Sequence, residues 1–328
     1  EIYFTSGGTE ADNWALNAAA EIGRRKKKMH IISTAFEHHA ILHTLDKLKK
    51  QGFEVTLLPV YDDGLVRLED LSAAIREDTV LVTIMYANNE IGTVQPIAEI
   101  GKLCRERGVL FHTDAVQAAG HIKLDVQAQN IDMLSLSAHK FHGPKGVGLL
   151  YCKSNVPLAI FMEGGAQERG SRGGTENVPS IVSMAAAFED VCGHMDENNR
   201  RISAMRDRLI DALTKVPRSR LNGDRDKRLP NIANFCFEGI GGEALLLMLD
   251  MIGIYASSGS ACTSGSLDPS HVLLALGLPH EIAHGSVRLS LSEYTKEEEN
   301  DYIIEKLPAI IARLREMSPV WEKIETEA

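Results

Sequence analysis

The residue types best suited to chemistry lie in the run from 135 to 146, where a lysine follows an apolar stretch. Lys140 leaves a predicted buried strand and enters a polar loop rich in glycine. A lysine at such a position is partly removed from water, which lowers the pKa of its ammonium group and favours Schiff-base chemistry with a carbonyl. Ser137 and His139 can bind a phosphate from the same loop. A lone lysine is more often a surface residue, so this prediction depends on its neighbours.

A carboxylate stands in a similar position one strand earlier. Asp114 follows the strand-like run from 109 to 113, and Gln117 comes shortly after it. Open α/β sheets bind their ligands at the carboxyl ends of their strands. An aspartate there can hold a protonated pyridine nitrogen, which makes the ring an electron sink. The same residue is also compatible with a helix N-cap, and this segment alone leaves both interpretations open.

The first turn of the chain has the composition of an anion-binding loop. Ser6-Gly7-Gly8-Thr9-Glu10 joins a predicted strand to a predicted helix. Backbone N–H groups and the positive end of the helix dipole therefore converge where a phosphate can bind. Glycines also occur in strand-to-helix turns for geometric reasons, so the segment has a purely structural interpretation as well.

Cys262 lies in the run from 257 to 264, which is made of small residues. We expect a thiol in such a loop to be exposed and mobile, as a sulfur-carrying nucleophile must be if it visits a substrate and then an acceptor. Because the five cysteines are scattered, odd in number and never paired as Cys-x-x-Cys, we predict neither a disulfide framework nor an intrinsic metal site. We predict that the remaining cysteines are inert core residues: Cys104, Cys152, Cys192 and Cys236.

Arg288 and His38 are candidates for binding a substrate and a planar ring. Arg288 lies in a strand-like run, from which a guanidinium can bind a carboxylate through two hydrogen bonds. A structural ion pair is the alternative interpretation. His38 can stack on a ring, although a histidine at the start of a helix needs no such role.

The elements that position these residues follow a repeating pattern up to about residue 152. Short β-branched runs alternate with longer amphipathic segments, which implies right-handed crossovers and a mostly parallel sheet with helices on both faces. The predicted strands are 2–5, 30–33, 54–59, 80–85, 109–113, 133–137 and 146–151. The predicted helices are 10–23, 40–51, 68–76 and 97–107. The sequence therefore predicts an α/β domain.

The pattern changes after residue 196. A glycine-rich loop at 164–174 and a long helix at 178–192 precede the change, and a helix at 199–215, a strand at 232–237 and a helix at 243–249 follow it. The final helix begins with Thr295-Lys-Glu-Glu298, which is typical of a capping box. We predict a large domain over 1–196 and a smaller C-terminal α+β domain over 197–328 that carries the Cys262 loop.

The composition and charge exclude several classes of function. Hydrophobic residues make up 44% of the 328 residues and charged residues 24%, as in ordinary globular proteins. A formal charge of −10 repels phosphates, so a nucleic-acid partner is not expected. We expect no membrane span and no signal peptide, and therefore a cytoplasmic protein. Because the chain begins without Met inside a predicted strand, we expect that an N-terminal segment is missing.

Motifs along nearly the whole chain resemble those of the cysteine desulfurases, which are fold-type I pyridoxal-phosphate enzymes of the class V aminotransferase family. Their combination is far more specific than any single motif. The loop around Cys262 resembles that of the longer-loop group, which serves general or nitrogenase iron–sulfur assembly. The matching motifs are Phe4-Thr-Ser-Gly-x-Thr-Glu, Glu37-His38, Asn88-Asn89-Glu90-Ile91-Gly92, His112-x-Asp114-Ala-x-Gln117, Ser137-x-His139-Lys140, Glu168-Arg169-Gly170 and Ser258-Gly259-Ser260-Ala261-Cys262.

The resemblance implies a role for each matching residue. Lys140 holds the cofactor aldehyde, Asp114 binds the pyridine nitrogen and Gln117 binds the phenolic oxygen. His38 stacks on the ring and moves protons, and is therefore catalytic together with Lys140 and Cys262. The implied phosphate ligands are Gly8, Thr9, Ser137 and His139, with Thr175 from the neighbouring subunit of a homodimer. The implied substrate ligands are Asn89, which also belongs to the cofactor site, and Arg288.

The implied reaction converts L-cysteine to L-alanine. Lys140 takes the α-proton, and the thiolate of Cys262 attacks the substrate sulfur, which leaves a persulfide on Cys262. The sulfur then passes to acceptor proteins, notably an iron–sulfur scaffold. Any cluster bound by Cys262 is therefore expected to be shared with that partner.

Two other interpretations stay open at this point. Another pyridoxal-phosphate lyase or aminotransferase, such as a selenocysteine lyase, can use the same cofactor site, and replacing Cys262 should then leave its activity intact. A non-catalytic fragment or scaffold protein of the same fold is the second alternative. The presence of Lys140, Asp114 and Cys262 argues against it, and failure of the purified chain to bind cofactor would favour it.

Overall fold

The structure, a computed structural model, describes residues 1–258 and 269–326. The chain forms two units, which are described separately. The first consists of Glu1–Val60, Val66–Ala87 and Gln95–Met195. The second consists of Tyr61–Leu65, Asn88–Val94 and Asp196–Ala328, and so includes two short segments that the sequence analysis places in the large domain. The predicted division into a large domain over 1–196 and a small domain over 197–328 stays a prediction.

The first unit is built on a seven-stranded sheet with strand order β1-β7-β6-β5-β4-β2-β3. Neighbouring strands from β6 to β3 pair in parallel, whereas β7 is antiparallel to both β6 and β1. The predicted mostly parallel α/β fold is thereby confirmed. The strands are β1 (Ile2–Thr5), β2 (His30–Thr34), β3 (Glu54–Leu58), β4 (Thr79–Thr83), β5 (Leu110–Asp114), β6 (Met133–Ser137) and β7 (Gly148–Cys152).

The helices of this unit match the predicted segments to within a few residues. The largest difference is at the first helix, which begins at Gly8 and ends at Lys26, where the predicted bounds are 10 and 23. Lys27, a left-handed residue with φ 55°, caps its carboxyl end. Short 3₁₀ turns occupy Ala138–Phe141 and Gln167–Gly170. The helices are α1 (Gly8–Lys26), α2 (His39–Lys50), α3 (Leu68–Ala74), α4 (Ile97–Glu106) and α5 (Val178–Gly193).

The core of the first unit forms around α1 and the central strands. Small side chains such as Ala11, Ala15 and Ala19 are fully buried, which lets the helix backbone approach the sheet closely. Trp14 fills the remaining space, and its indole N–H donates to the carbonyl of Ala159 at 2.9 Å. This packing fixes the start of α1 relative to the strand ends.

The second unit contains a three-stranded antiparallel sheet in the order β10-β9-β8, covered by helices. Its core includes Phe235 and Phe237, whose rings lie 6.0 Å apart, packed with leucines and isoleucines of the helices. The elements are α6 (Met195–Leu213), β8 (Ser219–Leu221), β9 (Ile232–Phe237), α7 (Gly242–Asp250), α8 (His271–Ala275), α9 (His280–Ala283), β10 (Ser286–Ser290), α10 (Glu297–Glu316) and α11 (Pro319–Thr326).

The capping box predicted for the last long helix is wrong by one residue. The carboxylate of Glu299, not of Glu298, accepts from the backbone N–H of Lys296 at 2.8 Å. Thr295 instead closes the preceding turn, where its hydroxyl accepts from the N–H of Ser292 at 3.0 Å. Successive acidic residues from 297 to 299 make the register ambiguous in the sequence.

The segment Asn88–Val94 belongs to the second unit because its backbone bonds there. The N–H of Val94 donates to the carbonyl of Lys227 at 2.9 Å, and the N–H of Leu229 donates to the carbonyl of Gly92 at 2.9 Å.

Within the described ranges, no helix combines the length and the apolar character that crossing a membrane requires.

Candidate active site

The predicted cofactor ligands of the first unit lie at one end of the large sheet, where the parallel strands have their C-terminal ends. This end is called the carboxyl edge below. Strand β1 runs in the same direction as β6, because each is antiparallel to β7. The segments after β1, β2, β5 and β6 therefore leave the sheet at one edge, where α/β folds bind ligands. Asp114 and Ser137 are the last residues of β5 and β6, and the segments that follow the strands carry Gly8, Thr9, His38, Gln117, His139 and Lys140.

The amino end of α1 forms a backbone cradle against the end of β6. A Cβ atom added to Gly8 would lie 2.7 Å from Val116 Cγ2, so no larger residue fits there without movement. Gly7 adopts φ 155° and lies beside the Ser137 hydroxyl, and no side chain caps the helix. The first N–H groups of a helix lack partners within it, which makes this end suitable for an anion. Thr9 is exposed at the same end.

The loop after β6 presents a hydroxyl, an imidazole and an amine. Ser137 Oγ lies 2.9 Å from His139 Nδ1. Burial lowers the pKa of His139, and the charges of Lys140 and Lys145 lower it further, which favours the neutral imidazole. Lys140 is exposed in this chain. The described residues do not bury its amine, so the predicted partial burial is wrong. Lys140 lies in the 3₁₀ turn Ala138–Phe141, which begins beyond the last residue of the buried strand β6.

Asp114 is the buried carboxylate of the edge. It is 6% exposed and accepts from the N–H of Val116 at 2.9 Å, which closes a turn; no described helix begins there, so the N-cap alternative is wrong. Burial raises its pKa to about 6, while the hydrogen bond from Val116 and the charge of Lys140 oppose the rise. A buried carboxylate of this kind is stabilised by a cationic partner such as a protonated ring nitrogen.

A buried polar cluster behind Asp114 was missed by the sequence analysis. His112 is fully buried, with Nδ1 2.9 Å from the Thr83 hydroxyl and Nε2 3.0 Å from the Ser135 hydroxyl. Burial lowers its pKa to about 3, so the imidazole is neutral. Asp12 Oδ1 lies 3.8 Å from His112 Nε2. The sequence signal that could have indicated this cluster is Asp12, an acidic residue on the apolar face of α1, one turn after Gly8.

Burial disfavours the charged forms of two further carboxyls of this interior, Asp12 and Glu37. Burial raises the pKa of Asp12 well above its usual range, and the charges of Asp114 and Glu37 add to the effect. Burial raises the pKa of Glu37 to about 8, although Glu37 accepts hydrogen bonds from Met85 N–H at 2.9 Å and the Thr34 hydroxyl at 2.8 Å. Burial therefore disfavours the charged form of each carboxyl in this cluster, and Asp114 shares that cost with its neighbours.

The glycine-rich loop is attached to the first helix by an ion pair that the sequence analysis also missed. The guanidinium of Arg172 donates to both carboxylate oxygens of Glu10, at 2.8 and 3.2 Å. Ser6 donates its N–H to the same carboxylate at 3.0 Å. The contact ties the loop to the amino end of α1.

The remaining predicted cofactor ligands of the first unit lie in different settings. His38 is the N-cap of α2, where its Nδ1 accepts from Ala40 N–H at 3.1 Å, so its ring orientation is set by the helix start. Gln117 is half-buried in the turn after β5. Thr175 is exposed in the loop that precedes α5, and its role stays a prediction.

Asn89 and Arg288 come together within the second unit. Arg288 Nη1 donates to the backbone carbonyl of Asn89 at 3.0 Å. Both residues are half-buried. This contact is to the backbone of Asn89, so it brings the guanidinium to the turn that carries the amide, and a guanidinium can bind a carboxylate through two hydrogen bonds.

Cys262 lies outside the described residues. The prediction for the other cysteines is correct for Cys104, Cys152 and Cys236, where burial raises the thiol pKa to about 12, 11 and 11 respectively. It is wrong for Cys192, which is exposed on α5, because the apolar residues around it do not all face the core.

Comparison with known proteins decides the family. The model of the Aminotransferase class-V family matches residues 1–303 of the chain. The chain belongs to this family.

Class-V relatives of known name are similar over almost the whole chain. The cysteine desulfurase IscS of Clostridium botulinum is 57% identical over 325 residues, which is 98% of this chain and 82% of the relative. The protein of the same name from Methanosarcina thermophila is 55% identical over 323 residues, 98% of this chain and 80% of the relative. A solved structure of a NifS-like protein superposes with a TM-score of 0.88 at 40% identity, covering 96% of this chain and 83% of the other.

The residues of the sheet edge fit pyridoxal phosphate, the cofactor of class-V aminotransferases. The α1 cradle with Ser137 and His139 suits the phosphate, and the buried Asp114 suits the ring nitrogen. Lys140 follows β6 at the same strand ends, and its charge acts on Asp114, so its amine would hold the aldehyde of the cofactor. When bound, the cofactor supplies an electron sink that makes the α-proton of an amino acid removable.

Proposed function

We propose that this chain is a pyridoxal-phosphate cysteine desulfurase that converts L-cysteine to L-alanine and transfers the sulfur to Cys262. The observation that carries the proposal is the 57% identity to a cysteine desulfurase over 98% of the chain. The buried Asp114 and the amine of Lys140 at one sheet edge support it, because cofactor chemistry needs both a nitrogen partner and a proton carrier.

For the residues around the cofactor we propose the roles that the resemblance to cysteine desulfurases implies. Asp114 stabilises the protonated ring nitrogen, and Gln117 donates to the phenolic oxygen. Lys140 holds the aldehyde and, once a substrate amine replaces it, takes the α-proton. His38, fixed as a helix N-cap, stacks on the ring and moves protons.

The phosphate and substrate ligands complete the proposed site. Asn89 and Arg288 bind the carboxylate of cysteine, and Asn89 also contacts the cofactor. The phosphate ligands are Gly8, Thr9, Ser137 and His139.

The sulfur step needs no further reactant. The thiolate of Cys262 attacks the substrate sulfur, the bond between that sulfur and the substrate β-carbon breaks, and its electron pair returns to the carbon skeleton. The products are alanine and a persulfide on Cys262. Sulfur-acceptor proteins, an iron–sulfur scaffold among them, then receive the outer sulfur, and any cluster contact by Cys262 is shared with that scaffold.

The test is release of alanine from L-cysteine by the purified chain with added cofactor and a reducing thiol. We expect alanine and sulfide in equal amounts from a yellow protein, and loss of both on Cys262→Ser. The matched control is Cys192→Ser, which removes an exposed thiol outside the proposed site and should leave both products unchanged. Alanine that persists after Cys262→Ser would instead indicate another pyridoxal-phosphate lyase, such as a selenocysteine lyase.

We further propose that the chain acts as a homodimer. In α5, only Met184 and Val191 are buried, whereas Val178 and Val182 are 59% and 62% exposed. An exposed apolar helix face of this kind favours contact with a second copy. Thr175, just before this helix, then completes the phosphate site of the partner.

Mixing inactive variants tests the contribution of Thr175 across the dimer. A chain with Lys140→Ala and a chain with Thr175→Val are combined to form mixed dimers. If Thr175 acts on the partner's site, the mixed dimer contains one site with both residues intact and regains activity. No gain over the separate variants would contradict the proposal.

The proposed compartment is the cytoplasm, where thiols such as that of Cys262 are kept reduced. Cell fractionation with detection of the native protein tests this. Recovery in an oxidising compartment would contradict it.

A further inference from the structure

The turn that carries Asn89 is held rigidly by its own backbone and by the side chain of Asn88. The Asn88 side-chain oxygen accepts from the N–H groups of Glu90 at 2.9 Å and Ile91 at 3.1 Å. Gly92, with φ 79°, donates its N–H to the Asn88 carbonyl at 3.0 Å and closes the turn. Asn89 is half-buried between two fully buried neighbours. The backbone of Asn89 is therefore fixed relative to the other residues of the turn.

Two consecutive carbonyls of this turn accept hydrogen bonds from adjacent strands. Arg288 on β10 donates to the carbonyl of Asn89 at 3.0 Å, and Asn234 Nδ2 on β9 donates to the carbonyl of Glu90 at 3.1 Å. Arg288 and Asn234 stand directly opposite each other in the antiparallel register. The sheet thus holds the turn at two neighbouring points, one of which is the proposed substrate ligand Arg288.

The amide of Asn234 has one orientation that satisfies its partners. Its Oδ1 accepts from Asn222 Nδ2 at 2.7 Å, so its NH₂ group faces the carbonyl of Glu90. Asn234 and Asn222 are both fully buried. A carboxylate in place of the Asn234 amide would set an acceptor against the Glu90 carbonyl, which is unfavourable away from water.

We propose that Asn234 is a positioning residue for the substrate carboxylate, because it fixes the turn of Asn89 relative to Arg288. The inference rests on the proposed roles of Asn89 and Arg288. An amide and a guanidinium can share one carboxylate only when their separation is held to within a fraction of an ångström. Asn234 holds that separation through the backbone carbonyl next to Asn89.

The experiment compares Asn234→Ala and Asn234→Asp with Asn300→Ala in the holoenzyme. Asn300 is a matched control, since it is 1% exposed and its Nδ2 also donates to a buried backbone carbonyl, that of Met205 at 3.2 Å. Binding of L-alanine is followed by the cofactor absorbance, and KM and kcat are measured with L-cysteine.

For the Asn234 variants we expect Kd for L-alanine and KM for L-cysteine to rise about tenfold, as one lost buried hydrogen bond predicts, with kcat changed less than about twofold. The control should lower the unfolding midpoint by a similar amount without changing Kd or KM.

An Asn234→Ala variant that is destabilised like the control but keeps the wild-type Kd and KM would overturn the inference. If neither Asn234 variant folds, Asn222→Ala decides, because it leaves Asn234 in place while removing the partner that orients its amide. A rise in KM then supports the inference, and an unchanged KM refutes it.

A wild-type protein that forms no alanine complex and no alanine product would overturn the proposed function itself. Weaker alanine binding in Arg288→Lys but not in the Asn234 variants would overturn this inference alone.

Discussion

Asp114→Asn is expected to stabilise the protein after its cofactor is removed. Without a cationic partner, the buried carboxylate is unfavourable when charged, which is why burial raises its pKa from 3.8 to about 6. A shift of this size corresponds to roughly 3 kcal/mol. Asparagine keeps the shape and the oxygen that accepts from Val116, but carries no charge.

The sign of the pH dependence follows from the raised pKa. The folded apoprotein binds the Asp114 proton more tightly than the unfolded chain, so protonation favours folding at low pH. This contribution is lost as pH rises from about 4 to about 6, and above that range the wild type is less stable by up to about 3 kcal/mol. The difference in the free energy of unfolding between Asp114→Asn and the wild type should therefore be largest at pH 8 and should disappear near pH 4.

Urea unfolding of the apoproteins at several pH values measures this gap. The matched control is Asp125→Asn, since Asp125 is an exposed carboxylate whose Oδ1 also accepts from a backbone N–H two residues on, that of Gln127 at 3.1 Å. Asp125→Asn should produce no comparable increase in the free energy of unfolding. An Asp114→Asn apoprotein that is no more stable than the wild type at pH 8, or a gap that does not close on acidification, would refute the reasoning. In the holoenzyme the same change should lower cofactor affinity, because the ring nitrogen loses its partner.

Further predictions concern the cradle, the glycine-rich loop and the substrate turn. Gly8→Ala should weaken cofactor binding at least several-fold in a fluorescence titration, since the new Cβ would lie 2.7 Å from Val116 Cγ2; unchanged affinity would show that the cradle adapts. Arg172→Met should reduce the free energy of unfolding by about 1 kcal/mol in urea, because it leaves the half-buried carboxylate of Glu10 without its cation; equal unfolding curves would contradict this. Ser270→Ala should destabilise the protein by about 1–3 kcal/mol in the same assay, because the Ser270 hydroxyl donates to the buried carboxylate of Glu90. The conservative Ser270→Thr keeps a hydroxyl and should recover most of that loss.

The fold was predictable where the alternation of residue types is strong. The strands at 2–5 and 133–137 were predicted with their observed bounds, because short apolar runs end there at polar loops. The helix ends were less accurate, since glycine at the start of α1 and three successive glutamates at α10 permit more than one boundary. Local patterns do not decide between such boundaries when tertiary packing is unknown.

The site was predictable only in part. Asp114 and Lys140 were found because each follows a strand, and strand ends bind ligands in this fold class. The contact between Asp12 and His112 was missed, because it depends on the register between α1 and β5. The pairing of Asn234 with Arg288 depends in the same way on how β9 and β10 align.

The exposure of Lys140 and of Cys192 was not predictable for a different reason. Both lie in sequence surroundings that are typical of buried residues, but Lys140 lies in a 3₁₀ turn beyond its strand, and of α5 only Met184 and Val191 are buried in this chain. A local sequence pattern does not show how much of an apolar helix packs against the core of its own chain.

Mass spectrometry of the protein after brief reaction with L-cysteine tests the central claim most directly. The holoenzyme is quenched with an alkylating agent and digested, and the peptide that contains Cys262 is compared with the peptides of Cys104, Cys152, Cys192 and Cys236. The account predicts that the Cys262 peptide becomes heavier by one sulfur atom in step with alanine release, and that the other peptides do not. Alanine release with no added sulfur on Cys262 would contradict it.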